Sequence, residues 1–244
     1  MNSIAVYSSK GGVGKTAAAV NLSYSSSRRG KKTLLCDMDS QGAASFYYKI
    51  STRGKFSKKK FIKGNLQKFI CSTHYQNLDL LPAHFSFRNL DLVLDGKKRD
   101  ELKTLFNRLA DDYEVIIFDC PPNMTLLSEH LITAADQVVI PVIPTTLSIR
   151  ALAQLMKFFD KIGADRKKMR AFFSMVERRK SMHVDTVKKY RKKKVFLKAL
   201  VPYLADVEKM GVSRAPVAVT MPGSPAAIAY DRLWMEIWKR RVRD

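Results

Sequence analysis

The 244-residue sequence predicts an α/β fold in which a doubly wound, mostly parallel central sheet carries helices on both faces. Three observations lead to this prediction. Short β-branched runs alternate along the chain with longer segments of helical periodicity. Several short runs are continuously apolar, as expected for strands buried on both faces. No repeat or linker divides the chain, so residues 1–244 are expected to form a single domain.

The elements follow from these patterns in chain order. We predict strands at residues 4–8, 33–37, 78–81, 115–119, 137–141, 171–176 and 199–201, each a short apolar or β-branched run. We predict helices between them, for example at residues 16–29, 102–110, 148–162, 184–194 and 226–240. Ligands bind such sheets at the carboxyl ends of the strands. The candidate functional residues are therefore sought at that edge.

The net charge is the unusual feature of the composition. Forty-four Lys and Arg residues against 22 Asp and Glu residues give a formal net charge of +22. Fifteen of the basic residues and only three acidic ones lie in residues 161–200, and seven basic residues with no acid lie in residues 51–70. Such self-repulsion indicates a polyanionic partner. Nucleic acid is the first candidate, and an anionic membrane surface is the second.

Cysteine content and hydropathy exclude several classes of protein. The three cysteines (Cys36, Cys71 and Cys120) form no CxxC pair, which indicates reduced thiols in a cytoplasmic chain and excludes a zinc site or a disulfide framework. No secretory signal follows Met1. The longest uncharged run near the C-terminus, residues 215–230, is interrupted by prolines and is not expected to span a membrane.

A glycine-rich segment at residues 9–16 follows the first strand and opens the first helix. The strict pattern G-x4-G-K-[ST] is not met, because Ser9 stands at the first glycine position, and Lys10 adds a second lysine. Lys15 is expected to reach the β- and γ-phosphates of a nucleotide, and the Thr16 hydroxyl to ligate Mg²⁺. The remaining predicted nucleotide-binding residues are Gly11, Gly12, Val13, Gly14 and Ala17, at the helix N-terminus.

With four further segments in the same order, this loop resembles the ParA/MinD group of deviant Walker-A P-loop ATPases nearly end to end. The segments are residues 34–42 (switch I), 115–122 (Walker B and switch II), 136–144 (the following strand and turn), and 201–203 with 214–217 (a late nucleotide-proximal loop). Ser40 replaces the proline usual in switch I. Small members of the group that lack an N-terminal DNA-reading domain are the most similar, since the phosphate loop begins at the ninth residue.

The catalytic roles combine physical argument with this resemblance. Asp119 ends a buried strand and is expected to hold Mg²⁺ through water. Asp39 follows the second strand, and the resemblance implies that it orients the attacking water and contributes to the metal site. Asp37 is expected to support the metal ligands without binding the metal itself. The resemblance also implies that Lys10 crosses a dimer interface to the partner's phosphates.

By position in the family, Met175 and Pro202 flank the adenine, although a core methionine is the commoner reason for such a residue.

Three basic runs in the C-terminal half predict contact with DNA phosphates. Counterbalancing acids are missing there, which is not expected of a merely soluble surface. No base-reading motif accompanies the charge, so binding is expected to be independent of sequence, and the resemblance implies the same. An operator-binding role is not expected. The predicted DNA-binding residues are Lys167, Lys168, Arg170, Lys188, Lys189, Arg191, Lys192, Lys193 and Lys194.

Residues 226–241 carry apolar side chains at helical spacing and allow two interpretations. The helix either packs on the sheet, which we favour, or lies on a membrane surface as in the MinD branch. MinD-type anchors are usually a short extra tail, and the chain ends six residues after Trp238.

The leading hypothesis is therefore a cytoplasmic, nucleoid-associated, Mg²⁺-dependent ATPase that dimerises with ATP, binds DNA non-specifically and partitions or positions DNA or a protein cargo. Weak basal hydrolysis is expected to be stimulated by a ParB-like or other adaptor protein. A MinD-like ATPase on a membrane surface is the alternative. An iron–sulfur reductase subunit would need paired cysteines at a dimer axis, and an amide ligase would need a second substrate site; the sequence indicates neither.

Overall fold

The computed structural model describes residues 1–51, 61 and 66–240. Within them, eight strands form one sheet: β1 (Asn2–Val6), β2 (Thr33–Asp37), β3 (Cys71–Ser72), β4 (Leu78–Leu81), β5 (Val115–Asp119), β6 (Gln137–Val142), β7 (Met169–Val176) and β8 (Phe196–Pro202). Their order is β3-β4-β2-β5-β1-β6-β7-β8, and all pairs are parallel except the antiparallel pair β3–β4. The predicted doubly wound α/β fold is confirmed.

Helices connect the strands. They are α1 (Lys15–Ser27), α2 (Ala43–Tyr47), α3 (Asp91–Leu94), α4 (Glu101–Asn107), α5 (Leu126–Ala134), α6 (Thr146–Lys161), α7 (Ser181–Tyr190), α8 (Ala205–Glu208), α9 (Met210–Ser213), α10 (Val217–Thr220) and α11 (Pro225–Lys239). Three short 3₁₀ turns lie at Leu66–Phe69, Phe85–Asn89 and Arg166–Lys168.

Two apolar cores cover the two faces of the sheet. One holds α1 and α11 against β1, β5 and β8, with Leu22, Phe172 and Trp234 fully buried. The other is formed on the opposite face by α4, α5 and α6, with Phe106 and Phe159 at its centre. The central strands β2, β5 and β6 are buried along their length, which explains why their sequences show no alternation of polar and apolar residues.

The predicted strands at residues 33–37, 78–81 and 115–119 coincide with β2, β4 and β5. The others are displaced at their ends: β1 begins and ends two residues early, and β7 and β8 begin two and three residues before the predicted starts. The five predicted helices are present with shifted ends. The helix predicted at 184–194 was wrong at its C-terminus: it is α7, which ends at Tyr190, so residues 192–194 lie in the loop before β8.

The C-terminal helix packs on the sheet, as favoured from the sequence. Tyr230, Leu233, Trp234 and Ile237 are buried in the first core, and Trp238 stacks on Trp234 with ring centroids 5.5 Å apart. The apolar side of the helix is therefore already occupied. No helix among the described residues has the length and apolar character needed to cross a membrane.

Candidate functional site

The predicted nucleotide motifs meet at the carboxyl edge of the sheet. Asp119, the last residue of β5, is level with Val6 of β1 on one side and with Asp37 of β2 on the other. The backbone N–H of Met38 donates to the carbonyl of Asp119 at 3.0 Å, which joins the two strand ends. The loop at residues 9–14 leaves β1 at the same edge, so the lysine and the three carboxylates of the motifs converge there.

The phosphate loop needs glycine at two positions. Gly12 and Gly14 have φ angles of 69° and 91°, in the left-handed region that residues with a Cβ rarely adopt. A Cβ on Gly14 would also lie 3.1 Å from the Ser174 hydroxyl of β7. Gly14 is the N-cap of α1, so the loop leads directly into a helix N-terminus with free amides.

Lys15 is buried at the bottom of this loop. Its side-chain Nζ donates to the carbonyl of Lys10 at 3.2 Å. Burial lowers the pKa of Lys15, and the nearby carboxylates of Asp119 and Asp39 oppose that shift. A buried ammonium next to a curled backbone of N–H groups is the arrangement that binds a phosphate group.

Asp119 is the least satisfied polar group of the site. It is 1% exposed, and neither carboxylate oxygen makes a hydrogen bond of normal geometry. Burial, reinforced by Asp37, raises the pKa of Asp119 well above its usual range; the nearby Thr16 hydroxyl and the charge on Lys15 lower it. An orphaned buried carboxylate beside a threonine hydroxyl offers hard oxygen ligands, and these residues therefore fit Mg²⁺.

The other two aspartates differ in their surroundings. Oδ2 of Asp37 accepts from the N–H and the hydroxyl of Ser45, both at 2.7 Å, while its Oδ1 is buried without a partner. Burial raises the pKa of Asp37 to about 6. Asp39 is half-buried in the loop after β2, and its Oδ1 accepts from the N–H of Gln41 at 3.0 Å. Asp37 thus anchors α2, whereas Asp39 faces the site. Within the described residues, no three His, Cys, Asp or Glu side chains are arranged to enclose a metal.

Lys10 points away from the loop. Its Nζ donates to the Ser148 hydroxyl at 3.3 Å, at the N-terminus of α6. Ser148 is held there by Thr145, the N-cap of the same helix. In one isolated chain, Lys10 is therefore engaged with its own α6.

A pocket beside Gly14 brings together the two residues predicted to flank a nucleotide base. Met175 and Pro202 both line it, and Met175 has a left-handed backbone with φ of 53°. Tyr203, part of the predicted late loop at residues 201–203, lies at the rim of this pocket. Its hydroxyl donates to the carboxylate of Glu208, which the sequence interpretation missed.

The sequence interpretation also missed Asn21. This buried side chain of α1 accepts from the N–H of Val217 at 2.9 Å and donates to the carbonyl of Ala17 at 2.7 Å. It thereby ties the loop at residues 214–217 to the helix that follows the phosphate loop. An asparagine within a helix is the only sequence signal that could have pointed to it.

The predicted DNA-binding residues gather at the amino ends of β7 and β8, the opposite edge of the sheet. They surround an open concavity, the basic groove, lined among others by Lys167, Lys188 and residues 191–194. Seven of the nine predicted residues are exposed. The other two, Lys168 and Arg170, are half-buried: Lys168 donates to the carbonyl of Ala135 at 2.9 Å, and Arg170 to that of Arg240 at 3.0 Å. Most of the basic run at 51–70 lies outside the described residues.

Comparison with known proteins agrees with this geometry. A family model for an AAA domain matches residues 1–171. The sporulation initiation inhibitor protein Soj of Bacillus subtilis is 29% identical over 96% of this chain and 97% of its own length. A putative plasmid partition protein of Borrelia burgdorferi, bound to AMPPNP, superposes with a TM-score of 0.83 at 22% identity over 99% of both chains. Cobyrinic acid a,c-diamide synthase of Mycobacterium smegmatis, bound to an ATP analogue and magnesium, has a TM-score of 0.82 at 22% identity over 98% of this chain and 94% of its own.

Proposed function

We propose that this chain, which belongs to the AAA domain family and is a small P-loop ATPase of the ParA/MinD type, binds ATP with Mg²⁺ at the carboxyl edge of the sheet. It then hydrolyses the ATP slowly. Residues 1–244 act as a single ATPase domain. The observation that carries the proposal is the buried Asp119 carboxylate, which makes no hydrogen bond of normal geometry among the described residues and lies beside Thr16, Lys15 and the glycine loop. These residues fit a phosphate and its metal together.

The residues of the site divide the work of phosphoryl transfer. The N–H groups of residues 11–16 hold the phosphates, and Lys15 neutralises charge that develops on the transferred group. Thr16, Asp119 and Asp39 provide oxygen ligands on the metal side. An Mg²⁺ ion held by these residues would supply positive charge that neutralises the charge on the phosphates. Asp39, the more exposed carboxylate, orients the attacking water. Met175 and Pro202 contact the base.

Lys10 is proposed to complete the site of a second copy of the chain. To do so it leaves the Ser148 hydroxyl and reaches the phosphates of the partner across a homodimer interface. Because ATP supplies the γ-phosphate that this lysine would contact, ATP favours the dimer and ADP does not.

The basic groove is proposed to hold duplex DNA without regard to sequence. Seven exposed cations surround or adjoin it, and none of them forms an ion pair with an acid of the described residues. Two grooves in an ATP dimer would bind DNA more tightly than one groove in a monomer, through avidity. The protein would then associate with the nucleoid in the cytoplasm, and a ParB-like or other adaptor would stimulate hydrolysis and release while a DNA or protein cargo is positioned.

A MinD-like ATPase on a membrane surface is the second candidate. It would need an apolar face free to enter the lipid. The apolar side of α11 is instead packed in the core of the chain, with Trp234 1% exposed. This packing favours DNA over lipid as the polyanionic partner.

Substituting Lys15→Ala tests the nucleotide site. We expect the affinity for ATP to fall at least about tenfold, because charge-assisted hydrogen bonds contribute about 1.5–3 kcal/mol each. Fluorescent ATP titrated into the purified chain measures this affinity, with the exposed Lys161→Ala as the matched control. Equal affinity in the Lys15→Ala variant and the wild type would contradict the assignment of the phosphate loop.

A further inference from the structure

A second groove follows the free edge of β8, the last strand of the sheet, toward its carboxyl end. We call it the edge groove. It lies between β8 and the first half of α11, and the loop after β7 closes one end. Its described surface joins an apolar floor with a basic rim. The floor is formed by Leu200, Leu204 and Ile228, and the rim by Arg178, Arg179, Lys198 and Arg232.

The floor is exposed to solvent, although the residues next to Ile228 in the helix are buried. Ile228 is 43% exposed, although Ala227 and Ala229 on either side of it are buried in the core. Tyr203, at the end of the groove, is 48% exposed. An isoleucine on the floor and a tyrosine at the end of the same concave surface offer the apolar contact area on which protein interfaces depend.

The rim carries positive charge that the described residues leave unmatched. None of its four cations forms an ion pair or a side-chain hydrogen bond within the ranges that the structure covers. The two glutamates of the groove already have partners within the chain. Glu177 pairs with Lys180, and Glu236 accepts from the backbone N–H groups of Lys198 and Ala199 at 2.9 and 2.8 Å. The groove is therefore complementary to negative charge.

The same contact of Glu236 determines how a partner can dock. An exposed edge strand usually invites a further strand to pair with it. Here the carboxylate of Glu236 occupies two of the edge amides of β8, which blocks strand addition at that point. A partner must therefore bind through its side chains, with acidic groups on the rim and an apolar group on the floor. Duplex DNA offers phosphates for the rim and nothing for the floor.

We propose that the edge groove binds a segment of a partner protein that carries Asp or Glu side chains beside one or two apolar anchors. Pro202, Tyr203 and Leu204 line both this groove and the pocket beside Gly14, so occupancy of the groove alters nucleotide affinity. Only this coupling rests on the proposed nucleotide function. Binding of the segment does not.

Selection from a phage-displayed library of random twelve-residue peptides on the full-length chain tests the proposal. We expect enrichment of sequences that combine Asp or Glu with Leu, Ile or Phe. A labelled synthetic copy of an enriched peptide should bind the wild type and lose at least about tenfold in affinity with Arg232→Glu and with Ile228→Ser. Both positions are exposed, so folding is expected to persist, and thermal melting checks it. Lys192→Glu, in the basic groove, is the charge-matched control and should change affinity by less than about twofold.

Three outcomes would overturn the proposal. The selection enriches no acidic–apolar sequences; Lys192→Glu weakens the peptide as much as Arg232→Glu does, which means general attraction to a basic chain; or a short DNA duplex displaces the peptide and itself binds less well to Ile228→Ser. The Lys15→Ala variant separates the two claims, since it should keep the peptide while losing the nucleotide. A peptide that leaves the ATP affinity of the wild type unchanged would overturn the coupling.

Discussion

Buried ionisable side chains at the carboxyl edge are expected to destabilise the folded chain when no ligand is bound. Asp37 and Asp119 are both fully buried, and burial raises the pKa of each. Lys15 lies close to Asp119 but does not pair with it in a hydrogen bond. Burying such charges costs free energy that phosphates and a metal ion would return on binding. The chain without ligand is thus expected to be less stable at neutral pH than at mildly acidic pH.

The pKa of Asp37 gives the direction in which stability changes with pH. Its pKa in the folded chain is raised to about 6 from 3.8, so its stabilising contribution is complete below pH 4 and is lost as the pH rises through 6. Asp37→Asn keeps an oxygen for Ser45 and removes the charge. We expect the ligand-free variant to melt at a higher temperature than the wild type at pH 7.5, and the difference to shrink as the pH falls from 6 to 4.

Thermal melting without nucleotide measures the difference. The exposed Asp111→Asn is the control and should follow the wild type at every pH. A ligand-free Asp37→Asn chain that melts at or below the wild-type temperature at pH 7.5 would show that the buried charge is not the destabilising feature.

Lys10 is the residue that distinguishes a dimeric from a monomeric site. In the Asp39→Ala background, which should bind ATP without hydrolysing it, we expect Lys10→Ala to keep the chain monomeric with ATP and Mg²⁺. Sedimentation velocity measures this. Ser148→Ala removes the acceptor that holds Lys10 in one chain and should leave the dimer intact. A stable ATP dimer formed by Lys10→Ala would mean that the lysine serves only its own chain.

For individual residues, the sequence is informative where a motif fixes the spacing. Residues 10–16 and Asp119 could be located because phosphate binding requires glycines, a lysine and a carboxylate at set distances along the chain. Asn21 and Ser174 could not, since their roles come from contacts between distant segments. Asn21 and Val217, for example, lie 196 positions apart.

Among the elements, buried strands were the most predictable and short helices the least. β2 and β5 stand out as continuous apolar runs because both of their faces are covered. The nine-residue helix α5 was missed, since the prolines and asparagine before it and the short length of its apolar run resemble a loop. The end of α7 was misplaced because lysine is a good helix former, and the run of lysines carries no signal that stops a helix.

The loop between α7 and β8 makes a direct test of the basic groove possible. Substituting Lys192, Lys193 and Lys194 together by Glu should weaken DNA binding. It should also flatten the dependence of log K on log salt, by about 0.9 for each phosphate that the protein no longer neutralises. Fluorescence anisotropy with a non-specific duplex over a salt series measures both quantities.

The matched control changes the same net charge elsewhere. Lys97, Lys98 and Lys103 are exposed next to or on α4, on the face of the sheet opposite α11. Their triple substitution by Glu should leave the salt slope nearly unchanged. Equal slopes for the groove variant and the wild type would place the DNA contact outside the groove.

Over the whole molecule, the sheet separates the two proposed sites. The nucleotide motifs lie at the carboxyl ends of the strands and the basic groove at the amino ends of β7 and β8. The eight residues of β7 span about 26 Å at about 3.3 Å per residue. No contact across that distance is needed if ATP acts by joining two chains, because the dimer then presents two grooves to one duplex.

The sequence indicated both sites but not their placement on opposite edges. That arrangement depends on which ends of the strands the basic segments join, and on the order of β7 and β8 in the sheet. With the two sites at opposite edges, we propose that ATP controls DNA binding through dimerisation.

Retention of the chain on immobilised non-specific duplex DNA in ATP, in ADP and without nucleotide, each over a salt series, shows whether the nucleotide controls DNA binding. We predict strong retention in ATP alone, which weakens as the salt concentration rises, and weak retention in the other two states. Equal retention in all three states would rule out control of DNA binding by ATP, because the basic groove would then act independently of the nucleotide site.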